Sequence, residues 1–406
     1  MSAPHPDGRA RVLVKEKIGD PGVDLLRAHF DVDLGLDWSD EELGERIGDY
    51  DGILIRSATT VDAALIGRAR SLKVIGRAGV GVDNVDVGAA TKQGIVVANA
   101  PQSNVVTAAE HTMALLLALA RNVPQAHASL VAGRWERSRF SGVELMDKTL
   151  GVLGFGRIGQ LVAQRAMGFG MRVIAFDPFV SAERYRELGV EKADSPDDVY
   201  ARADFLTLHL PKNDQTEGWL DAEALAKCKE GVRVLNVARG PLIVDEDLEA
   251  ALDSGKVGGA ALDVFRTEPI TEHPLFGRPN VIVTPHLGAS TAEAEENCAV
   301  MVVDQLRDFL EHGNVTNAVN FPQVGMARES AWRIGIANAN VPNMLGQIST
   351  AMADAGLNIH NMVNKSRGDM AYTLVDVDSA VADGVLDALR GIAGVLSVRY
   401  LPDAGA

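Results

Sequence analysis

Short apolar runs alternate with amphipathic stretches almost from the start of the chain. Residues 12–14, 32–34, 52–55, 73–75 and 95–97 read as parallel strands, with helix-period segments such as 24–30 and 41–47 between them. After a polar turn at 100–104, a strongly apolar helix is predicted over about 106–121. The rhythm resumes with an apolar run at 150–153, a helix to about 169, and strands at 172–176, 204–210, 232–237, 259–264 and 281–284. This alternation predicts α/β domains built on parallel sheets. A helix over about 291–311 is expected to return to the first domain and make it discontinuous. The expected division is 1–104 with 288–320, interrupted by 105–287, the crossings near 100–105 and 287–291 forming a hinge over a cleft. Phe321-Pro322 opens a linker into a third unit, 321–406. Its predicted order is strand 331–337, helix 342–355, strands 357–363 and 370–377, helix 381–392 and strand 395–401. That is the ferredoxin-like βαββαβ pattern.

The stretch KTLGVLGFGRIG, residues 148–159, carries chemistry by itself. An apolar strand runs into Gly154, Gly156 and Gly159, a helix follows, and the next strand ends at Asp177. The first glycine makes a tight turn, the second admits a pyrophosphate, and the third lets helix and strand pack closely. The helix start offers N–H groups and the positive end of a dipole. Asp177, 18 residues beyond Gly159, is placed to accept hydrogen bonds from the adenosine ribose and to repel a 2′-phosphate. The cofactor expected is NAD rather than NADP.

Charge narrows the partners. The chain has 39 Lys and Arg against 55 Asp and Glu, a net −16, which argues against nucleic acid or an anionic membrane surface. An anionic substrate therefore requires a local basic pocket. Cys228 and Cys298 form neither a disulfide framework nor a metal pattern, and no metal site is expected. The opening MSAPHPDGRARV has no apolar core of the signal-peptide kind, and the longest apolar run, 113–120, falls far short of the ~20 residues of a membrane helix. A soluble cytoplasmic protein is expected.

Hydride transfer to NAD also requires a proton acceptor and a group that polarises the reacting oxygen. Three strand-end stretches offer them: NVARG at 236–240, DVFRTEP at 263–269 and TPHLGAS at 284–290. A histidine paired with a carboxylate is the expected acid–base unit, and an arginine fork suits a substrate carboxylate. Together with GRAGVGVDN at 76–84 and GFGRIG at 154–159, these stretches resemble the D-isomer-specific 2-hydroxyacid dehydrogenases, over roughly residues 10–320. The resemblance implies a Rossmann-type NAD-binding domain inserted in a flavodoxin-like substrate domain. It implies Arg239, Glu268 and His286 as the catalytic trio: Arg239 on carboxylate and carbonyl, His286 as acid–base, Glu268 orienting His286. Cofactor contacts carried over are Gly154, Gly156, Arg157, Ile158, Gly159, Asp177, Leu210, Pro211, Val237, Ala238, Arg239, Asp263, His286, Gly288 and Ala289.

LIRSATTVD at 54–62 and GRWERSRF at 133–140 resemble the phosphoglycerate dehydrogenase branch of that family. By that resemblance Arg56, Ser57, Arg77, Gly79 and Arg137 bind the substrate, 3-phosphoglycerate, with Arg137 reaching a neighbouring subunit of a homo-oligomer, dimer or tetramer. The C-terminal unit resembles an ACT module, in which Asn338, Asn340 and Asn358 match the places that hold an L-serine effector. Asn338 stands where such modules commonly have His, and Asn343 where Gly usually follows Pro342. Two other readings stay open. One is a relative acting on 2-hydroxyglutarate, hydroxypyruvate or glyoxylate; the other is an NAD-sensing binding protein with negligible turnover.

Overall fold

The apolar runs assemble into three sheets in a computed structural model that describes residues 9–403. Residues 1–8, most of the opening stretch without an apolar core of the signal-peptide kind, and the last three residues lie outside the described residues. The chain divides into two compact units, Met1–Asn104 with Ala292–Ala406, and Val105–Thr291.

The first unit contains β1 (Arg11–Val14), β2 (Asp31–Leu34), β3 (Gly52–Ile55), β4 (Val74–Arg77) and β5 (Val96–Asn99), all parallel in the order 2-1-3-4-5. This is the flavodoxin-like order. Alternate residues fill two cores. Leu13, Ile53, Ile55, Ile75 and Val97 pack on one face, and Val12, Val14, Leu54, Val74 and Val96 on the other. Burial on both faces explains why these strands read as unbroken apolar runs. The helix Ala292–Arg307 covers the second face through Cys298, Ala299, Val302, Val303 and Leu306. It continues as a wide turn, Asp308–His312, and stops at Gly313 with φ 74°.

The second unit holds β6 (Thr149–Leu153), β7 (Arg172–Phe176), β8 (Glu191–Lys192), β9 (Phe205–Leu208), β10 (Val232–Asn236), β11 (Val257–Leu262) and β12 (Val281–Val283). They form one parallel sheet in the order 12-11-10-9-6-7-8, the Rossmann arrangement with its switch point between β6 and β9. The sequence gives no sign of β8, which is two exposed residues. The strand expected at 259–264 runs 257–262, so that Asp263 begins the following loop. Gly258-Gly259 breaks the apolar pattern at its start and conceals two residues of strand.

The remaining strands, β13 (Trp332–Ala339), β14 (Ile359–Arg367), β15 (Met370–Val377) and β16 (Val395–Pro402), form an antiparallel sheet ordered 14-15-13-16. This is the ferredoxin-like order. One face packs Ile334, Ile336, Val375 and Val377 on Met344, Ile348, Met352, Leu386 and Leu389 of the unit's own helices. The other face adds Ala337, Tyr372 and Leu374 to the cluster containing Phe309, Phe321, Val324 and Met326.

Candidate active site

In the Rossmann unit the chemistry-bearing residues gather at the carboxyl ends of the strands, where ligands of open α/β sheets bind. The loop after β6 supplies the cofactor cradle. Gly154 has φ 90°, and a β-carbon there would lie 2.5 Å from the His209 carbonyl oxygen. Gly156 faces open space, and the helix Arg157–Gly168 starts at it with no side chain to cap its first N–H groups. Backbone approach and a helix dipole thus coincide where a pyrophosphate would sit. At the end of β7, Asp177 accepts hydrogen bonds from the N–H groups of Phe155 and Phe179, both at 2.9 Å, which fix its carboxylate beside the glycine turn. Leu210 and Pro211 follow β9, Val237 and Ala238 follow β10, and Gly288 and Ala289 follow β12. This donor set fits NAD.

His286 and Glu268, paired by the family resemblance, lie in contact. Nδ1 of His286 lies 2.5 Å from Oε2 of Glu268, while the other glutamate oxygen accepts the Phe265 N–H at 2.8 Å. Burial pushes the Glu268 carboxyl up, but the hydrogen bonds from His286 and Phe265 outweigh it and hold the group below its ordinary range. Glu268 therefore remains ionised at neutral pH and fixes the imidazole's orientation. The Nε2 edge is left for proton exchange, and His286 is exposed. By contrast His209, beside Gly154, has its pKa pushed down to about 4 by burial, so it stays neutral.

His286 is held in the left-handed region, φ 55°, where a non-glycine residue is uncommon. The neighbouring carboxylate, Asp263, explains how. It is fully buried, and it accepts hydrogen bonds from the N–H groups of Leu287 (2.7 Å) and Gly288 (2.8 Å) and from the Thr284 hydroxyl (2.5 Å). His111 Nε2 adds a fourth contact at 3.2 Å. Burial opposes ionisation of Asp263, yet these donors lower its pKa on balance. Asp263 therefore shapes the loop that presents His286. Arg239 comes from the loop after β10, where Asn236 donates to the Arg239 carbonyl at 2.9 Å and accepts from the Ala238 N–H at 3.1 Å. A β-carbon on Gly240 would lie 1.9 Å from the Phe265 carbonyl carbon, so the Arg239 loop touches the loop that carries Glu268.

In the first unit Arg56 and Ser57 follow β3. Glu16 accepts the N–H groups of Arg56, Ala58 and Thr59 at 2.9–3.1 Å, and Asn84 donates to the carbonyls of Arg56 and Thr59 at 2.8 and 2.6 Å. Arg77 lies at the end of β4 against Gly79, where a β-carbon would collide with its guanidinium. Arg137 is exposed in the short helical turn Arg137–Phe140 of the other unit.

The three asparagines proposed from the sequence for an effector differ in exposure. Asn340 and Asn358 are exposed, Asn340 donating to the Gly368 carbonyl at 3.0 Å. Asn338 is 1% exposed, and its amide bonds the Ala339 carbonyl at 2.8 Å. His111, Glu16 and Glu295 escaped the sequence reading, while Thr284 and Asn84 lie in the stretches TPHLGAS and GRAGVGVDN but received no role. Of the three that escaped, only His111, a lone imidazole in an apolar helix, gave a visible signal.

A glycine cradle, a carboxylate beside it at the end of the next strand and a histidine–glutamate pair on one Rossmann sheet are the features of the NAD-dependent dehydrogenases. Residues 113–288 match the family model described as D-isomer specific 2-hydroxyacid dehydrogenase, NAD binding domain. The chain is 47% identical over 313 residues to the D-3-phosphoglycerate dehydrogenase of Synechocystis sp., covering 77% of this chain and 56% of that protein. It is 43% identical over 393 residues to the D-3-phosphoglycerate dehydrogenase of Mycobacterium tuberculosis, covering 94% of this chain and 74% of the relative. Among solved structures, a glyoxylate reductase from Paecilomyes thermophila superposes with a TM-score of 0.71 at 30% identity, covering 77% of this chain and 98% of that one. The chain belongs to the D-isomer specific 2-hydroxyacid dehydrogenase family. Among the described residues no helix is long and apolar enough to cross a membrane.

Proposed function

We propose that this chain oxidises D-3-phosphoglycerate to 3-phosphohydroxypyruvate with NAD, the first step of L-serine synthesis, in the cytoplasm. The observation that carries the reading is the His286–Glu268 pair at 2.5 Å, beside the Arg239 loop on a sheet with an NAD cradle. Identities of 41–47% to proteins named D-3-phosphoglycerate dehydrogenase support the substrate. NAD, when bound, supplies the hydride acceptor. Arg239 binds the substrate carboxylate and polarises the C2 oxygen. His286 takes the hydroxyl proton at Nε2, and Glu268 stabilises the imidazolium that results. Arg56, Ser57, Arg77, Gly79 and, from a neighbouring copy in a homo-oligomer, Arg137 complete the binding of the doubly acidic substrate. The buried free thiols of Cys228 and Cys298 suit a reducing compartment.

The experiment is NADH formation from D-3-phosphoglycerate by the purified protein and by His286→Ala. Loss of a positioned base costs about 10²–10⁴-fold in turnover, while NADH binding, followed by fluorescence, is retained. Undiminished turnover in the variant removes His286 from the acid–base role. Absence of turnover by the parent protein turns the search to 2-hydroxyglutarate, glycerate and glycolate. L-serine sensing through Asn340 and Asn358 is checked in the same assay: falling turnover with added serine supports it, and indifference assigns the C-terminal sheet to assembly.

A further inference from the structure

Arg56 is already engaged. Its Nη2 lies 2.9 Å from Oε1 of Glu295, in the first turn of the helix Ala292–Arg307, and Nη1 approaches the Lys17 carbonyl at 3.5 Å. The loop around it is fixed by Glu16 from the N–H side and Asn84 from the carbonyl side, so the guanidinium is the adjustable part. Both partners of the ion pair are about one-third to two-fifths exposed, with side-chain values of 34% and 41%. An anion arriving at Arg56 meets a carboxylate in possession of the site.

We propose that Glu295 is a specificity-determining residue: it is the resident counter-ion of Arg56, and an acidic substrate binds by taking its place. The inference rests on the reading that Arg56 binds substrate. Exchange of one carboxylate for another anion is nearly balanced in Coulomb energy, so the exchange lowers affinity for the anion and hastens release of an anionic product. A ligand with no second acid group does not use Arg56 and does not feel the competition. Glu295 thereby sets how strongly the enzyme favours a doubly acidic substrate over a singly acidic one.

Glu295→Gln keeps the shape and removes the charge. An exposed ion pair is worth at most about 1 kcal/mol, so KM for D-3-phosphoglycerate is expected to fall about two- to fivefold. KM for D-glycerate, which lacks the phosphate, is expected to stay put, and kcat to change less than KM does. In an Arg56→Gln background the same substitution has nothing left to release, so its effect on KM should vanish. A KM for D-3-phosphoglycerate that is unchanged or raised in Glu295→Gln, while Arg56→Gln raises it, overturns the proposal and leaves Arg56 in its role. An Arg56→Gln enzyme with unchanged KM overturns both. Equal falls in KM for the two substrates also overturn it, because a structural effect would not distinguish them.

Discussion

The helix that begins at Ala292 meets an arginine near each end, and the two encounters are built differently. At the start, Arg56 faces Glu295 through one hydrogen bond at 2.9 Å, with both side chains partly in water. At the far end, Arg333 faces Asp376 through two hydrogen bonds, 2.6 and 2.9 Å, with both side chains wholly buried. Arg333 donates further to the carbonyls of His312, Met326 and Ala327. Arg399 joins it, donating to the carbonyls of Phe309 and Leu310 at 3.0 Å each and lying 4.2 Å over the Phe309 ring. Those carbonyls belong to the last turn of the helix, where orphan acceptors and the negative dipole end attract cations. A cation with every N–H satisfied inside the protein holds structure in place. A cation with one charged partner, a single long carbonyl contact and an open side is available to a ligand. The second unit repeats the contrast in carboxylates: Asp263 is buried under four donors, whereas Glu268 is part-exposed and orients the group that exchanges protons.

The largest expected effect follows from removing one half of the buried pair. Asp376→Asn leaves the Arg333 charge without its counter-ion, and breaking a buried pair in this way typically costs about 3–5 kcal/mol. Urea denaturation at pH 7 measures it. Arg333→Met with Asp376→Leu, which removes both charges, is expected to recover most of that loss. A single substitution costing less than about 1 kcal/mol, the range of an exposed pair, would put the two ends of the helix in one class after all.

Much of this was legible in the sequence because it depends on local pattern. The glycine turn and Asp177 announce themselves through fixed spacing along one βαβ unit, and the apolar strands through burial on both sides. Arg239, Glu268 and His286 lie in loops after β10, β11 and β12, and their roles were legible only through the resemblance of those stretches to the family, since spacing alone assigns none of them. Asp263 was assigned to the cofactor, and nothing local indicates that it shapes the His286 loop through partners at 111, 284, 287 and 288. The pairing of Glu295 with Arg56 spans 239 residues, and that of Arg333 with Asp376 spans 43. Such contacts are set by how strands and helices stack, which periodicity does not encode. Exposure is likewise not read from position in a motif: of the three asparagines matched to the effector places, Asn340 and Asn358 are exposed and Asn338 is 1% exposed.

Within the second unit the contrast is sharpened through pH. The lowered pKa of Asp263 means that its contribution to stability is complete above the unfolded carboxylate value of about 4 and is lost as pH falls below it. Asp263→Asn removes that dependence and also sets amide N–H groups against the N–H donors of Leu287 or Gly288. An unsatisfied buried group of this kind costs about 1–3 kcal/mol. The variant is expected to show a lower Tm at pH 7 and a shallower fall in Tm between pH 5 and pH 3. A parallel fall in the two proteins would show that Asp263 titrates alike in the folded and unfolded chain.

The smallest expected effect is the most telling for the comparison. If the Arg56–Glu295 pair is kept for ligand exchange, it owes the fold little. Partial exposure and side-chain entropy limit such a pair to about 0–1 kcal/mol, and salt screens most of that over a Debye length of about 8 Å at physiological ionic strength. A double-mutant cycle with Arg56→Gln and Glu295→Gln, read by urea denaturation at low and at 0.5 M salt, measures the coupling directly. The expected coupling is below about 1 kcal/mol at low salt and falls towards zero as salt is added. A coupling of several kcal/mol that survives salt would mean that Arg56 is held as firmly as Arg333, and that a substrate could not take it from Glu295 at small cost.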